Sequence, residues 1–189
     1  MDYAQKELSH TKFASIIPGG DNFQGAHAEI NIWKPLTEQP YEFSASQIWI
    51  SHDNGQEVIE AGSQEDSTAN WWLLFQNTLI GYWPNFIFKQ LSVKATKIAF
   101  GGQVSNTQPN GRHTNTQMGS GHMPVEGGFA ISSFFHEVQV LDGNRESITP
   151  NTVSVVRTKP GCYDLKLDKK DSSGIKFYYG GLGFSDTCK

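Results

Sequence analysis

Among the 189 residues, the first group whose type and setting could do chemistry is Glu60, in Val58-Ile59-Glu60-Ala61-Gly62. The strand period of two puts Glu60 with Val58 and opposite Ile59, so one face must mix charge with apolar surface. A carboxylate beside apolar neighbours has a raised pKa, which suits proton transfer. Judged by residue type alone, a solvated strand glutamate is the commoner outcome. His113, His122 and His136, with Glu126 and Glu137, match no metal-ligand spacing, and no HExxH occurs, so neither a metal nor a cofactor is expected. Gly119-Ser120-Gly121 lacks the Gly-x-Ser-x-Gly spacing of a serine nucleophile. Tyr82, Trp83, Tyr178 and Tyr179 could stack on a proline ring or a sugar, although aromatics in strands mostly serve the core.

The elements that must position these groups read as strands. Thr11 to Ile17 ends at the turn Pro18-Gly19-Gly20-Asp21. Gly25 to Trp33 alternates, with Ala28, Ile30 and Ile32 on one face, and Phe43 to Ser51 alternates again. His52-Asp53-Asn54-Gly55 is a hairpin turn leading into Gln56 to Gly62. Trp71 to Phe75 and Leu79 to Trp83 form two strands about Gln76-Asn77. Pro84 then opens a short helix to Leu91 that buries Phe86, Ile87 and Leu91. Thr96 to Phe100 returns to strand before Gly101-Gly102, and 105–128 reads as long loops with one short strand near Thr114 to Met118. Phe129 to Leu141 is a long strand with Ile131, Ser133, Phe135, Glu137 and Gln139 on one side. Strands at Thr152 to Arg157, Tyr163 to Leu167 and Ile175 to Tyr179 complete an all-β, antiparallel two-sheet sandwich, jelly-roll-like, with one short helix.

Twelve phenylalanines and 37% hydrophobic residues need a core, and the length suits one domain, residues 1–189. A net charge of −4 supplies no basic patch, so nucleic acid is not an expected partner. No run is long and apolar enough for a membrane span, and Met1 to Glu7 lacks the apolar stretch of a secretory signal.

The run Trp71-Trp72-Leu73, then Ile80-Gly81-Tyr82-Trp83-Pro84 and Gly101-Gly102-Gln103-Val104, is followed by Thr116 to His122, Gly161-Cys162-Tyr163-Asp164 and Phe177 to Gly181. Together these resemble the neprosin domain of plants over nearly the whole chain. The resemblance implies a secreted glutamic-class endopeptidase that cuts after proline. Glu60 falls on the glutamate of the family's Ile-Glu-Ala-Gly motif, one of its two catalytic residues. The second catalytic glutamate closes a Gly-Gly-Glu strand, and here Gln103 stands in that place, with Ala99 where some relatives carry another acid. Fungal glutamic peptidases, also β-sandwiches, work with one glutamate and one glutamine. By that analogy Glu60 activates water and protonates the leaving amine. The Gln103 amide holds the tetrahedral intermediate, a donor role worth roughly 2.7 to 4 kcal/mol.

The resemblance further implies a Cys162–Cys188 disulfide and an extracellular location, two free core thiols being the alternative. It places His122 in a loop that shapes the cleft. It also implies that this chain lacks the family's leader and activation segment, and a block of strands between Gln64 and Asn70. The expected partner is a proline-containing peptide or protein, and the expected state a monomer. Two rival readings stay open: an inactive paralogue that binds peptide or cell-wall protein, and a carbohydrate-binding sandwich with exposed coplanar rings.

Overall fold

The computed structural model describes residues 10–52, 57–60, 63–64, 70–76, 78–109 and 112–189. In chain order its strands are β1 (Thr11–Pro18), β2 (Gly25–Ile30), β3 (Ser44–His52), β4 (Glu57–Glu60), β5 (Ser63–Gln64), β6 (Trp71–Phe75) and β7 (Thr78–Trp83). They continue with β8 (Lys97–Ser105), β9 (Ser133–Leu141), β10 (Ser147–Ile148), β11 (Val153–Arg157), β12 (Asp164–Asp171) and β13 (Gly174–Gly180). Two antiparallel sheets result, one ordered β11-β1-β8-β3-β4 and the other β12-β13-β9-β2-β5-β6-β7, with β10 against β9. The all-β two-sheet architecture expected from the alternating patterns is the one observed.

The sheets meet through alternate residues of their central strands. Ala14, Ile16, Ile48, Ile50, Ile98, Phe100 and Val104 of the first sheet are buried against Phe135, Val138, Ile175, Phe177 and Tyr179 of the second. Phe135 stacks on Phe177 at 5.0 Å and meets Phe100 edge-on at 6.3 Å across the layers. Gly102 marks the closest approach, since a Cβ there would lie 2.6 Å from Met118 Sδ and 2.7 Å from Tyr179 Cε2.

The first sheet is paired throughout β1, β8 and β3. The second is interrupted. β2 runs along β9 from Gly25 to Ile30, but toward the hairpin it meets β5 at Gly25 alone, and β5 meets β6 through two residues. Beyond that short bridge the edges of β2 and β6 diverge around a groove of about 850 Å³, lined by Ala26, Ala28, Ile30, Leu74 and Phe134 and reaching Ile48 of the other layer. The β6–β7 hairpin leaves Leu74, Phe75, Leu79, Ile80 and Tyr82 exposed.

Several local expectations are corrected. The helix expected from Pro84 to Leu91 is one 3-10 turn, Asn85–Ile87, and of its three expected core residues only Leu91 is buried. The cause is Glu57, whose carboxylate accepts the N–H groups of Lys89, Gln90 and Leu91 and so takes the donors a helix would need. β2 stops at Ile30 and leaves Ile32 exposed, because the Asn31 side chain replaces the backbone, accepting from Phe134 N and donating to Ser132 O. No strand forms from Thr114 to Met118; Met118 makes one isolated bridge to Gly181. In β9 the expected grouping of Phe135 with Glu137 and Gln139 fails. Glu137 takes φ 51° in a bulge, so Phe135, Val138 and Val140 share the core face. The turn expected at 53–55, and Ala61 and Gly62, lie outside the described residues.

Candidate active site

The outer face of the first sheet carries the residues of interest in three rows. Cross-strand pairing puts Phe13, Gln103 and Ala45 in one row, Ser15, Gly101 and Gln47 in the next, and Ala99, Trp49 and Glu60 in the third. Gln103 is half-buried and its amide is hydrogen-bonded to nothing among the described residues. Glu60 is described by its backbone register, opposite Trp49 at the edge strand β4.

Two parallel diagonals cross this face. From Phe13 to Trp49 the path runs two strands across and four residues along, Gln103 to Ala99, with Gly101 at its midpoint. From Gln103 to Glu60 it runs the same two strands and four residues, Ala45 to Trp49, with Gln47 at its midpoint. Strand spacing and rise make each diagonal roughly 16 Å between Cα atoms. Along the first, the two rings nevertheless approach to 6.0 Å, edge to face. The right-handed twist draws one diagonal of a sheet face together, and the second lies beside it in the same sense. Gly101 permits this approach, because a side chain there would overlap the Ala14 carbonyl and lie 2.6 Å from Ser15 Cα.

Beyond the end of β3 lies a second polar cluster that the sequence did not announce. Glu42, 5% exposed, accepts Thr107 N and Oγ1, both at 3.0 Å, Thr114 Oγ1 at 2.6 Å and Thr116 Oγ1 at 2.5 Å. Burial alone would push its pKa up, but the hydrogen bonds from Thr114, Thr116 and Thr107 together outweigh that and hold it below the usual carboxylate value. Glu38 accepts Asn115 N at 2.6 Å and Arg112 at 2.7 Å. The Tyr163 hydroxyl donates to Thr116 O at 2.7 Å. The segment 112–118 is thus a strap tied down by two carboxylates, and it holds the loops at the Gln103 end of the sheet. The Thr114-x-Thr116 spacing was the available signal.

The remaining candidates are accounted for locally. His122 contacts Glu126 at 2.8 Å and His136 contacts Glu29 at 3.2 Å, both pairs on the surface. Tyr178 and Tyr179 are buried, the Tyr179 hydroxyl donates to Ser46, and Trp83 packs against the core. Tyr82 is exposed and tilts over Trp72 at 4.8 Å. No flat row of exposed rings is formed by the four aromatics singled out for stacking. Cys162 and Cys188 are disulfide-bonded. The large groove lies in the other sheet, and neither Gln103, Gln47 nor Trp49 lines it.

The fold defines the class: an all-β protein built as a sandwich of two antiparallel sheets. The Neprosin family model matches residues 63–182, more than half of the chain. The chain belongs to the Neprosin family. The matched span takes in Gln103 and the strap and begins three residues after Glu60.

Proposed function

We propose that this chain is an extracellular glutamic-type endopeptidase that cuts after proline, with Glu60 as general base and then acid and Gln103 as oxyanion donor. The observation that carries the reading is the shared lattice vector. Over the same two strands and four residues that bring the Phe13 and Trp49 rings to 6.0 Å, a glutamate and a glutamine stand at the two ends, with a third polar side chain, Gln47, between them. Side chains of that length, converging as the rings do, would leave room for one water and a scissile carbonyl. Glu60 would take a proton from the water as it attacks and deliver one to the leaving nitrogen. Gln103 would donate to the carbonyl oxygen as it becomes an oxyanion, a role suited to an amide with no partner among the described residues. The Phe13 and Trp49 rings beside this line offer an apolar surface to the substrate. The open gap between β2 and β6 supports the further reading that this is a shortened copy of the domain, lacking strands between Gln64 and Asn70.

The test is cleavage of a proline-containing fluorogenic peptide by the purified, oxidised chain from pH 3 to 7. Wild type is expected to cut after proline, Glu60→Gln to be inactive, and Gln103→Leu to lose about 10²-fold to 10³-fold in kcat. An inert but folded wild type that gains cleavage with Gln103→Glu would instead make this a decayed enzyme. Inertness of every folded variant would reject catalysis.

A further inference from the structure

The disulfide does not stand alone. Cys162 precedes β12 and Cys188 lies near the C-terminus, and His113 of the strap packs with them. One ring nitrogen of His113 and both sulfurs lie within 4.8 Å of one another, all three residues buried. His113 is 2% exposed, and its Nδ1 lies 3.0 Å from Thr114 O, so Nδ1 carries the proton and donates to that carbonyl. Nε2 is left as a buried lone pair with no hydrogen-bond partner among the described residues. The Tyr163 ring, edge-on at 5.2 Å, fixes the imidazole plane. A buried imidazole oriented through Nδ1 toward a backbone carbonyl, with a ring nitrogen within 4.8 Å of two sulfurs, is how protein zinc ligands are arranged.

We propose that the reduced chain holds a zinc ion between Cys162 Sγ, Cys188 Sγ and His113 Nε2, so that the disulfide and the metal site are two states of one place. The chemistry balances with a dithiol reductant. Its two thiols give up two electrons and two protons and close to a disulfide, while the Cys162–Cys188 bond opens to two thiols. On zinc entry each cysteine thiol releases its proton to solvent and His113 contributes a lone pair with no proton change. Three protein donors are one short of a four-ligand structural site, which sets the affinity below that of such a site.

The experiment uses the full chain, reduced with excess dithiol and freed of it under argon, then titrated with zinc chloride against a chromophoric chelator while circular dichroism follows the fold. The reduced wild type should bind one zinc and the oxidised wild type none. His113→Ala should weaken binding at least about 10-fold, and Cys162→Ser with Cys188→Ser should abolish it. Cobalt in place of zinc should show thiolate charge-transfer absorption. If reduction unfolds the chain, equimolar zinc should restore the folded spectrum, and failure to do so overturns the proposal. A folded, reduced chain that ignores zinc, or binds it equally well with His113→Ala, also overturns it and leaves the imidazole as packing against the disulfide.

Discussion

The two sheets use similar strands for opposite ends. The first is paired along its length, and β8 at its centre has neighbours on both sides through Gln103. The second contains more aromatic residues but, among the described residues, is joined across its middle only by the two residues of β5. What separates them is continuity of the hydrogen-bonded ladder. A continuous ladder fixes cross-strand register, and register alone places Gln103, Gln47 and Glu60 in line. The interrupted sheet fixes no such line, and its apolar hairpin is exposed on β7. Precision of a site on this fold belongs to the sheet whose ladder is continuous.

The hardest test of the comparison is to detach the hairpin. Trp71 is fully buried and its Nε1 donates to Leu91 O at 2.8 Å, so it holds β6 where β5 cannot. Trp71→Ala should cost about 4 kcal/mol. In hydrogen exchange the loss of protection should fall on β6 and β7 first; equal loss in β8 would show that the sheets are not independent. Next is Gly101→Ala, which drives a methyl into the β1 backbone and should cost about 3 kcal/mol and the alignment of the rows, read by denaturant midpoint and peptide cleavage together. Gln47→Leu keeps the shape of the row and removes its middle amide. On the proposed reading it should lower kcat about 10-fold or more while unfolding free energy changes by less than about 1 kcal/mol; unchanged kcat would remove Gln47 from the proposed chemistry.

Glu42 adds a pH dimension to the same sheet. Its folded pKa is depressed, so its contribution is fully present above its unfolded value and is lost as pH falls through the folded one. Glu42→Gln should therefore destabilise by about 2 kcal/mol near neutrality, and the gap from wild type should close as acid protonates the wild-type carboxylate. Urea midpoints taken from pH 7 down to 3 measure that convergence. A gap that stays constant would mean that Glu42 holds the strap by shape and not by charge.

How far the sequence carried can be judged from β8 and β9. In β8, Ile98, Phe100 and Val104 alternate with Ala99 and Gln103, so the strand was legible, although the expected Thr96 to Phe100 stops short of its observed end at Ser105. In β9 the same reasoning found the strand and lost the phase, because the bulge sits on Glu137, a residue with none of the glycine or proline marking that announces irregular backbone. Its neighbour Gly174 carried the signal instead: at φ 127° it packs where a Cβ would lie 2.8 Å from Glu137 Cα. The 84–91 segment misled because Glu57, far away in sequence, captures its donors. Glu60 and Gln103 were singled out by family pattern, but Gln47 was not, because its place between them exists only once three strands are in register. Neighbourhoods built across strands are not written in the spacing along them.

The smallest expected effect tests the comparison most finely. Gly81 lies in β7 as Gly101 lies in β8, each inside a strand among bulky residues. A Cβ at Gly81 meets nothing within 4 Å, whereas at Gly101 it meets backbone. Gly81→Ala should thus change stability by no more than about 0.5 kcal/mol. If anything it should stabilise, since alanine narrows the unfolded ensemble at no steric cost. A loss comparable to that of Gly101→Ala would mean that the outer side of β7 is covered in solution, and the β6–β7 hairpin would then be as enclosed as the centre of the complete sheet. A null effect leaves the contrast intact: one glycine makes room for neighbouring strands and rings, and the other stands where no neighbour is present.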